Sequence, residues 1–329
     1  MFLHKKTGIV CLSEASKFFG SLIDHLGGDI IFQTKIVTLR LGEAMDRSVR
    51  HYVIDQRLKS SPPTDKIIGS KKIRMRHLCT FIALSLLLSI TLFGQSENAV
   101  ISDADIARLP IPVQRYLRYT KTIGKPFVTR VELTQSGQMK LKPDAEWIPL
   151  HAKQWYRVPE VAFEWQGWVK AAPLFHVKAT DFYDNGVGSL KIRLWGFIPM
   201  GTAEGPEVSE GELMRYLSEI IWFPPAMLGE NIAWEAVNDT LARATITDGG
   251  LEVSGDFHFD PDGRLTAFTA IRYADMGDGE FRLADWYAPV SEYADFNGWY
   301  LPSKGSAVWL FEEGDYEYIR LKIESISLK

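Results

Sequence analysis

The chain has 329 residues, of which 46% are hydrophobic and 24% are charged, and its formal net charge is −4. This length allows one large domain or two smaller ones, and the composition excludes a disordered or collagen-like chain. The slightly negative charge gives no basic surface of the kind that nucleic-acid-binding proteins carry, so no nucleic-acid partner is predicted. Two cysteines exclude a disulfide scaffold.

Charge is divided unevenly along the chain. Residues 1–78 contain 14 Lys or Arg and 7 Asp or Glu, whereas the remaining residues contain 23 and 34. All ten tryptophans lie in the acidic part, between Trp147 and Trp309, and both cysteines, Cys11 and Cys79, precede them. The sequence therefore predicts a basic leader followed by an acidic, aromatic-rich domain.

An uncharged apolar segment separates these two parts. Residues 78–96 have the sequence LCTFIALSLLLSITLFGQS and follow the basic string KKIRMRH. A basic flank before an apolar run is typical of an export signal or a single membrane-spanning helix. Because positive charge stays on the cytoplasmic side, residues 97–329 are expected outside the cytoplasmic membrane, in the cell envelope or secreted. A cleaved signal at 75–96 and an uncleaved anchor both remain open.

The leader, residues 1–74, contains no recognisable motif. Met75 begins a string that has the form of a signal peptide by itself. We therefore interpret the leader as an extension upstream of a later start site, with a helical or disordered tail as the alternative.

The acidic domain begins with two short helices, in the string SDADIARLPIPVQRYLRY. Ser102 and Asp105 are placed as a cap pair, and Pro112 suits the first turn of the second helix. Val113, Tyr116 and Leu117 share one face of that helix.

From Lys125 onward the hydrophobic period changes to two, which is typical of β-strands. Residues typical of turns separate the predicted strands at five places: Ser136-Gly137, Asp184-Asn185-Gly186, Asp248-Gly249-Gly250, Asp262-Gly263 and Glu313-Gly314-Asp315. Asn-Gly and Asp-Gly between alternating apolar runs are the strongest short-range hairpin signals. The pattern predicts about eight to eleven strands, mostly antiparallel.

One amphipathic helix interrupts these strands. Ser209 and Glu212 predict a capping box at the start of residues 209–222, and Arg215 and Glu219 form an i,i+4 pair. The apolar face carries Leu213, Leu217, Ile220 and Ile221. Since such a face must be buried, the concave side of a curved sheet is its expected place.

The predicted fold class is therefore mainly β with few helices. We expect a curved antiparallel sheet or unclosed β-barrel with a helix in its concavity, preceded by a hydrophobic export or membrane segment.

Motifs for chemistry are sparse. The sequence contains no nucleophile elbow, phosphate-binding loop or dinucleotide fingerprint, and no catalytic residue, cofactor or metal ligand is predicted. His151, His176 and His258 lack metal-ligand spacing. Asp260 and Asp262 do not complete an EF-hand loop and predict a turn instead.

Carboxylates keep an enzyme open as an alternative. Glu164, Glu204, Glu207 and Asp285 are candidates for paired acid–base groups of the glycosidase kind. An acidic domain offers many such pairs that do no chemistry, so the spacing alone does not distinguish them from a solvated surface.

The tryptophans are unusually numerous for a domain of this size. Trp165 and Trp168 are three residues apart on a predicted strand, so they face opposite sides unless Gly167 marks a bulge. Apolar side chains on both faces of the sheet are expected if the concave face binds a ligand and the other face contacts a partner or a membrane. They are expected equally if both faces are simply packed against other parts of the protein.

Four strings carry a resemblance to a known family: LPIPVQRYLRYTKTIGKP (109–126), GPEVSEGELMRYLSEIIWFPPAML (205–228), DGGLEVSGDFHFDPDGRLTAF (248–268) and GWYLPSKGSAVWLFEEGDYEYI (298–319). Over residues 103–328 the chain resembles a bacterial domain of unknown function (DUF6544/DUF6920-like) that opens with L-P-x-P-V-Q-R-Y-L-R-Y. This resemblance implies no established activity and no catalytic residues.

The order of elements also resembles the LolA/LolB lipoprotein-carrier fold, an unclosed β-barrel around helices. That resemblance implies a concave surface that holds acyl chains, with Trp165, Trp195, Trp222 and Phe223 as the ligand-facing candidates. The leading hypothesis is non-catalytic binding or carriage of a hydrophobic or lipid-like small molecule in the envelope, with membrane contact through residues 78–96 if they are not cleaved. The alternatives are a hydrolase-type enzyme that acts on carbohydrate or lipid with Asp or Glu, and a structural or protein-interaction module of the envelope.

Overall fold

The computed structural model describes residues 100–172, 174–277 and 279–329. The predictions for the leader, 1–74, and for the apolar segment, 78–96, lie outside these residues. Of the helices in the described residues, none is long and apolar enough to cross a membrane.

Short helices and long strands make up the described part of the chain. The helices are α1 (Asp103–Ile106), α2 (Ile111–Tyr119) and α3 (Pro206–Glu219), and 3₁₀ turns follow α3 at Ile220–Trp222 and Pro224–Leu228. The strands are β1 (Arg130–Met139), β2 (Ile148–Arg157), β3 (Ala162–Ala172), β4 (Phe175–Asp184), β5 (Val187–Leu194), β6 (Ile198–Glu204), β7 (Ile232–Asn238), β8 (Leu241–Asp248), β9 (Leu251–Phe259), β10 (Leu265–Gly277), β11 (Glu280–Phe296), β12 (Trp299–Phe311) and β13 (Gly314–Leu328).

All thirteen strands form one antiparallel sheet, in the order β6-β5-β4-β3-β2-β1-β13-β12-β11-β10-β9-β8-β7. The first and last strands pair in the middle of the sheet, with Val131 opposite Leu328. Two arms extend from this pair. The edge strands, β6 and β7, follow one another in the chain, and α3 with its 3₁₀ turns connects them.

The sheet curls around α3. This helix packs against β4, β5 and β6 of one arm and against β8, β9 and β10 of the other. The β4–β5 and β8–β9 turns contact each other. The Tyr183 hydroxyl donates to Asp248 over 2.9 Å, and the backbone of Gly186 lies against Gly249. The predicted curved sheet with a helix in its concavity is confirmed.

The two turns that meet are predicted hairpin turns, and both are confirmed. Asn185 and Gly186 have φ angles of 48° and 81°, and Gly249 and Gly250 have φ angles of 54° and 83°. Positive φ at both central positions is the type I′ geometry, which matches the twist of the flanking strands.

The predicted turn at Ser136-Gly137 is wrong. β1 continues through both residues and pairs with β2 on one side and β13 on the other. Gly137 is required for a close approach instead, since a side chain there would collide with the carbonyl of Arg320 on β13. That neighbour is distant in sequence, so a local pattern cannot distinguish this glycine from a turn residue.

The sheet has thirteen strands, more than the predicted eight to eleven. The sequences of β2 and β11 contain Pro149 and Pro289, and proline weakens a strand pattern because it cannot donate to the ladder.

The predicted capping box of α3 is also wrong. The helix begins earlier, at Pro206, behind an N-cap glycine, Gly205, with φ 137°. Ser209 therefore lies inside the helix, where its hydroxyl donates to the carbonyl of Gly205 over 2.9 Å and accepts the N–H of Gly188 over 3.0 Å. This arrangement leaves the Glu212 side chain free of a capping role.

The two N-terminal helices follow their predictions. The carboxylate of Asp105 accepts the backbone N–H and the hydroxyl of Ser102 over 2.7 and 2.6 Å. In α2, Val113, Tyr116 and Leu117 are fully buried, and the Tyr116 hydroxyl donates to the carbonyl of Ile221, which lies in the 3₁₀ turn after α3.

Gly186→Ala is expected to destabilise the protein more than Gly250→Ala. Both glycines have nearly the same positive φ, so both variants carry the left-handed penalty of about 1–2 kcal/mol. Only at Gly186 would the new Cβ also meet backbone, 2.5 Å from the Gly249 carbonyl oxygen, whereas Gly250 has open space. Urea unfolding should show a further loss of about 1–3 kcal/mol for Gly186→Ala, and equal losses would contradict the contact between the turns.

Candidate functional site

A cavity of about 620 Å³ lies inside the curled sheet, between α3 and the inner face of β10 to β13. Small residues occupy many inward positions around it, and this keeps the space open. They are Ala179, Ala203, Gly211, Ala274, Ala288, Gly305 and Ala307. Larger apolar side chains complete the wall: Trp165, Leu190, Val208, Ile221, Trp222, Trp286, Val290, Trp309, Ile319 and Leu321.

An ion-pair cluster lies in this mostly apolar wall, centred on Arg215 of α3. Its guanidinium contacts Asp181 on β4 and donates Nε–H to Glu219 over 3.0 Å. The other oxygen of Glu219 accepts hydrogen bonds from Gln154 over 2.7 Å and from Tyr156 over 2.8 Å. The predicted i,i+4 pair is therefore confirmed, but it is buried inside the sheet.

Aromatic rings flank the guanidinium groups of Arg215 and Arg272, two of the arginines in the cavity wall. Arg215 lies over Phe163 and Trp165, at 5.3 and 5.1 Å from the ring centres. Arg272, on β10, lies over Trp286 and Trp309, at 4.9 and 5.6 Å. Cations over ring faces are attracted by the ring quadrupole, more so away from water.

Gly211 allows Arg272 to reach α3. The guanidinium of Arg272 donates to the carbonyl of Gly211 over 3.0 Å, and a Cβ at Gly211 would lie only 3.3 Å from the same nitrogen. Arg272 thus connects β10 to the helix.

Burial sets the protonation of the acids in this cluster. It raises the pKa of Glu212 to about 8, with the charge of Asp181 adding to the effect and Arg215 and Arg272 opposing it. Burial also raises the pKa of Asp181 against the opposing charge of Arg215. Burial acts to lower the pKa of Arg215, but Glu219 and Asp181 outweigh it and raise that pKa. Around neutral pH, Glu212 is therefore largely protonated.

Two of the four predicted ligand residues line the cavity, and two do not. Trp165 and Trp222 are 4% and 5% exposed and both belong to the wall. Phe223 is fully buried beside the cavity, where its ring packs on Tyr156 at 4.3 Å. A role in ligand binding stays a prediction for all of them.

Trp195 lies at the surface, in the turn between β5 and β6 rather than on a strand, with φ 52°. Its ring stacks between Phe175 and Phe197, and its Nε1–H donates to the carbonyl of Leu174 over 2.7 Å. Trp195, Phe197, Leu174 and Ile198 are all exposed. Together they form an apolar surface tip.

Trp165 and Trp168 face opposite sides of the sheet, as the strand period predicts. β3 pairs in regular register across Gly167, so no bulge separates them. The Trp165 indole folds over Gly167, where a Cβ would collide with it, while Trp168 is 36% exposed beside Lys178.

The candidate acid–base carboxylates lie on four different elements: Glu164 on β3, Glu204 on β6, Glu207 on α3 and Asp285 on β11. Asp285 lies on β11 opposite Leu310, Glu164 accepts a hydrogen bond from Gln166, and Glu204 ends β6. Only Glu207 belongs to the cavity wall. The acids that the fold does bring together, Asp181, Glu212 and Glu219, are different ones.

His258 and the Asp260–Asp262 segment have local partners. His258 is in hydrogen-bond contact with Thr269 on the neighbouring strand, at 2.8 Å, and burial lowers its pKa. Asp260 accepts the N–H and the guanidinium of Arg264 over 2.9 and 2.6 Å, which confirms the predicted turn. Within residues 100–172, 174–277 and 279–329, no group of three or more His, Cys, Asp or Glu is arranged to hold a metal ion.

Arg215→Met is expected to lower the free energy of unfolding by about 3–5 kcal/mol, because Asp181 and Glu219 would remain buried without their cation. The matched control is Arg243→Met, which breaks a solvent-exposed pair with Asp256 and should cost less than about 1 kcal/mol. Urea unfolding measures both. Equal losses of unfolding free energy in the two variants would show that the buried cluster stabilises the protein no more than an exposed ion pair does.

Glu212→Gln is expected to flatten the pH dependence of stability. A carboxyl whose pKa rises from 4.5 to about 8 on folding binds its proton more tightly when folded. Its contribution to stability is therefore full below pH 4.5 and declines as the pH rises toward 8, by up to about 1.4 kcal/mol per pH unit. Unfolding free energies at about pH 6 and pH 7.5 should differ less in the variant than in the wild type, whereas Glu235→Gln on exposed β7 should keep the wild-type slope. An unchanged slope in Glu212→Gln would contradict the raised pKa.

Comparison with known proteins identifies the family. Residues 99–321 match the model of a family of unknown function (DUF6544), and no curated protein matches the chain. Among solved structures, a LolA superfamily protein from Nitrosomonas europaea is 10% identical, with 66% of this chain and 93% of that chain covered and a TM-score of 0.37. A DUF1329 family protein from Desulfovibrio piger is 8% identical, with 67% and 94% covered and a TM-score of 0.38. TM-scores and identities of this size support no statement about function.

The family model covers more than half of the chain and confirms the resemblance carried by the L-P-x-P-V-Q-R-Y-L-R-Y string: the chain belongs to the family of unknown function DUF6544.

Proposed function

We propose that the protein binds or carries a hydrophobic, lipid-like small molecule in the cavity between α3 and the inner face of the sheet. The observation that carries this proposal is the cavity itself. Its volume of about 620 Å³ lies within the range of small-molecule sites, and its wall is mainly apolar with a few converging polar groups.

The way the cavity is formed supports the same function. Protein interiors are close-packed, and empty apolar space is destabilising because the wall atoms lose contacts. Here Ala288 on β11 and Gly305 and Ala307 on β12 all line the cavity, with Gly305 opposite Val290, and they leave that space unfilled. A wall of larger side chains would pack better, so the small residues favour a ligand that completes the packing.

The proposed location is the cell envelope. The basic string before residues 78–96 and the apolar run itself indicate export of residues 97–329. If the run is not cleaved, it would also hold the protein on the membrane. An exported lipid-binding domain would be placed where lipid-like molecules are abundant.

An enzyme is the second candidate, and one observation favours it. Glu212 combines a pKa raised to about 8 with a position in the cavity wall near Asp181, and a strongly shifted carboxyl in a cavity is a feature of acid–base sites. Asp181 and Glu219 are both engaged by Arg215, however, which suits a structural cluster as well. The fate of the ligand distinguishes the two: a carrier releases it intact, and a hydrolase releases its cleavage products.

Filling the cavity should abolish ligand binding without unfolding the protein. Ala288→Phe places a ring in the cavity wall, whereas Ala236→Phe adds the same ring to exposed β7. We expect native mass spectrometry of the full chain, purified gently from its host, to show a lipid-like adduct in the wild type and in Ala236→Phe. The adduct should be lost in Ala288→Phe, and urea unfolding checks that both variants are folded.

Organic extraction of the wild type then identifies the bound molecule. An adduct that persists in Ala288→Phe would contradict a site in this cavity. A wild type without any adduct, which also fails to bind added apolar probes, would overturn the proposal and leave the interaction-module alternative, with the exposed tip around Trp195 as its candidate surface.

A further inference from the structure

Four buried polar atoms around the cavity have no hydrogen-bond partner among the described residues. They are Asp181 Oδ1, Glu212 Oε2, Trp222 Nε1 and Arg272 Nε, and all four residues belong to the wall. Glu212 and Trp222 are only 8% and 5% exposed. Buried polar groups are nearly always hydrogen-bonded, and a buried donor or acceptor without a partner is destabilising. Four orphans around one cavity indicate a polar partner that enters it.

The types of these atoms define what that partner offers. The indole of Trp222 and the Nε–H of Arg272 can only donate, whereas the Asp181 carboxylate accepts. A complementary group therefore has to accept and donate at the same place. A hydroxyl does both with one atom, a carboxylate only accepts, an ammonium only donates, and a hydrocarbon does neither.

Charge in the cluster points the same way. Arg215 contacts the carboxylates of Asp181 and Glu219, and the charge of Arg272 also acts on Asp181, so two cations balance two anions in the cluster. Burial keeps Glu212 largely protonated around neutral pH, so that it adds little charge. An anionic head group would meet Asp181, and a cationic one would meet Arg272. A head group without net charge avoids both repulsions.

The remaining wall suits a chain. Away from the cluster, the inner faces of β11 to β13 present Ala288, Val290, Ala307, Ile319 and Leu321 to the cavity. The wall thus has an apolar stretch beside the polar cluster, which suits the two parts of an amphiphile.

We propose that the cavity binds an uncharged amphiphile whose hydroxyl-bearing head lies among Asp181, Glu212, Trp222 and Arg272, with its hydrocarbon chain along the inner faces of β11 to β13. The class is that of monoacylglycerols and related neutral lipids with free hydroxyl groups. This inference rests on the proposed function and specifies the ligand class of the same cavity.

The test compares three probes of similar chain length on the full chain: 1-monooleoylglycerol, oleic acid and 1-octadecene. Displacement of an apolar fluorescent dye at about pH 7 measures their affinities. We expect 1-monooleoylglycerol to bind about tenfold more tightly than the other two, because only its hydroxyls satisfy the orphan donors and acceptors.

Trp222→Phe keeps an aromatic ring in the wall and removes the indole N–H. It should weaken 1-monooleoylglycerol binding about five- to tenfold, the value of one hydrogen bond, and weaken 1-octadecene binding by a smaller factor. Trp168→Phe, on the outer face of β3, is the matched control and should change neither affinity.

The outcomes distinguish a failure of the proposed ligand class from a failure of the proposed lipid-binding function on which it rests. Equal affinities for the three probes, a preference for oleic acid, or an unchanged 1-monooleoylglycerol affinity in Trp222→Phe would overturn the hydroxyl-bearing ligand class while the lipid-binding function stands. If none of the probes displaces the dye and the dye itself does not bind, the proposed function fails, and this inference fails with it.

Discussion

Arg215 connects the helix in the concavity to the inner face of the sheet, and the position of the cavity depends on that contact. One guanidinium contacts Asp181 on β4 and Glu219 one helical turn further along α3. Desolvating three charges is unfavourable unless each is paired and hydrogen-bonded. Here Gln154 and Tyr156 satisfy the remaining oxygen of Glu219, and aromatic rings flank the cation. The helix can therefore bury a charged face.

The opposite side of α3 makes this arrangement stable. Leu213, Leu217 and Ile220 are fully buried and provide the apolar burial that holds the helix between the two arms of the sheet. Because these contacts hold α3 in place, the cavity side of the helix does not need to be packed, and small residues such as Gly211 on the helix and Ala307 on β12 are tolerated around the cavity. A cavity and a polar cluster can then share one face of the helix.

Local signals in the sequence predict much of this fold but only part of the site. The Asn185-Gly186 and Gly249-Gly250 turns follow from residue type, because positive φ is a local requirement. Gly137 is misread as a turn because its reason, the carbonyl of Arg320, lies across the sheet. The same limit applies to the cluster: Arg215 and Glu219 are recognisable as a helix pair, but nothing local identifies Asp181 as their partner.

The tryptophans show which further information the sequence lacked. Trp165 and Trp222, two of the four ligand-facing candidates implied by the resemblance to the lipoprotein-carrier fold, line the cavity. Trp195, a third candidate, does not line it, because β5 ends one residue earlier and strand alternation no longer determines the direction of this side chain. The sheet face on which a side chain lies can be assigned from sequence only where the strand or helix continues through that residue.

The unpartnered indole N–H of Trp222 is a different case, since it can be recognised only when every neighbouring side chain in the wall is known. Ligand chemistry in this protein is therefore a property of the assembled cavity, because its donors and acceptors come from β4, α3, the turn after α3 and β10, and no single segment contains them.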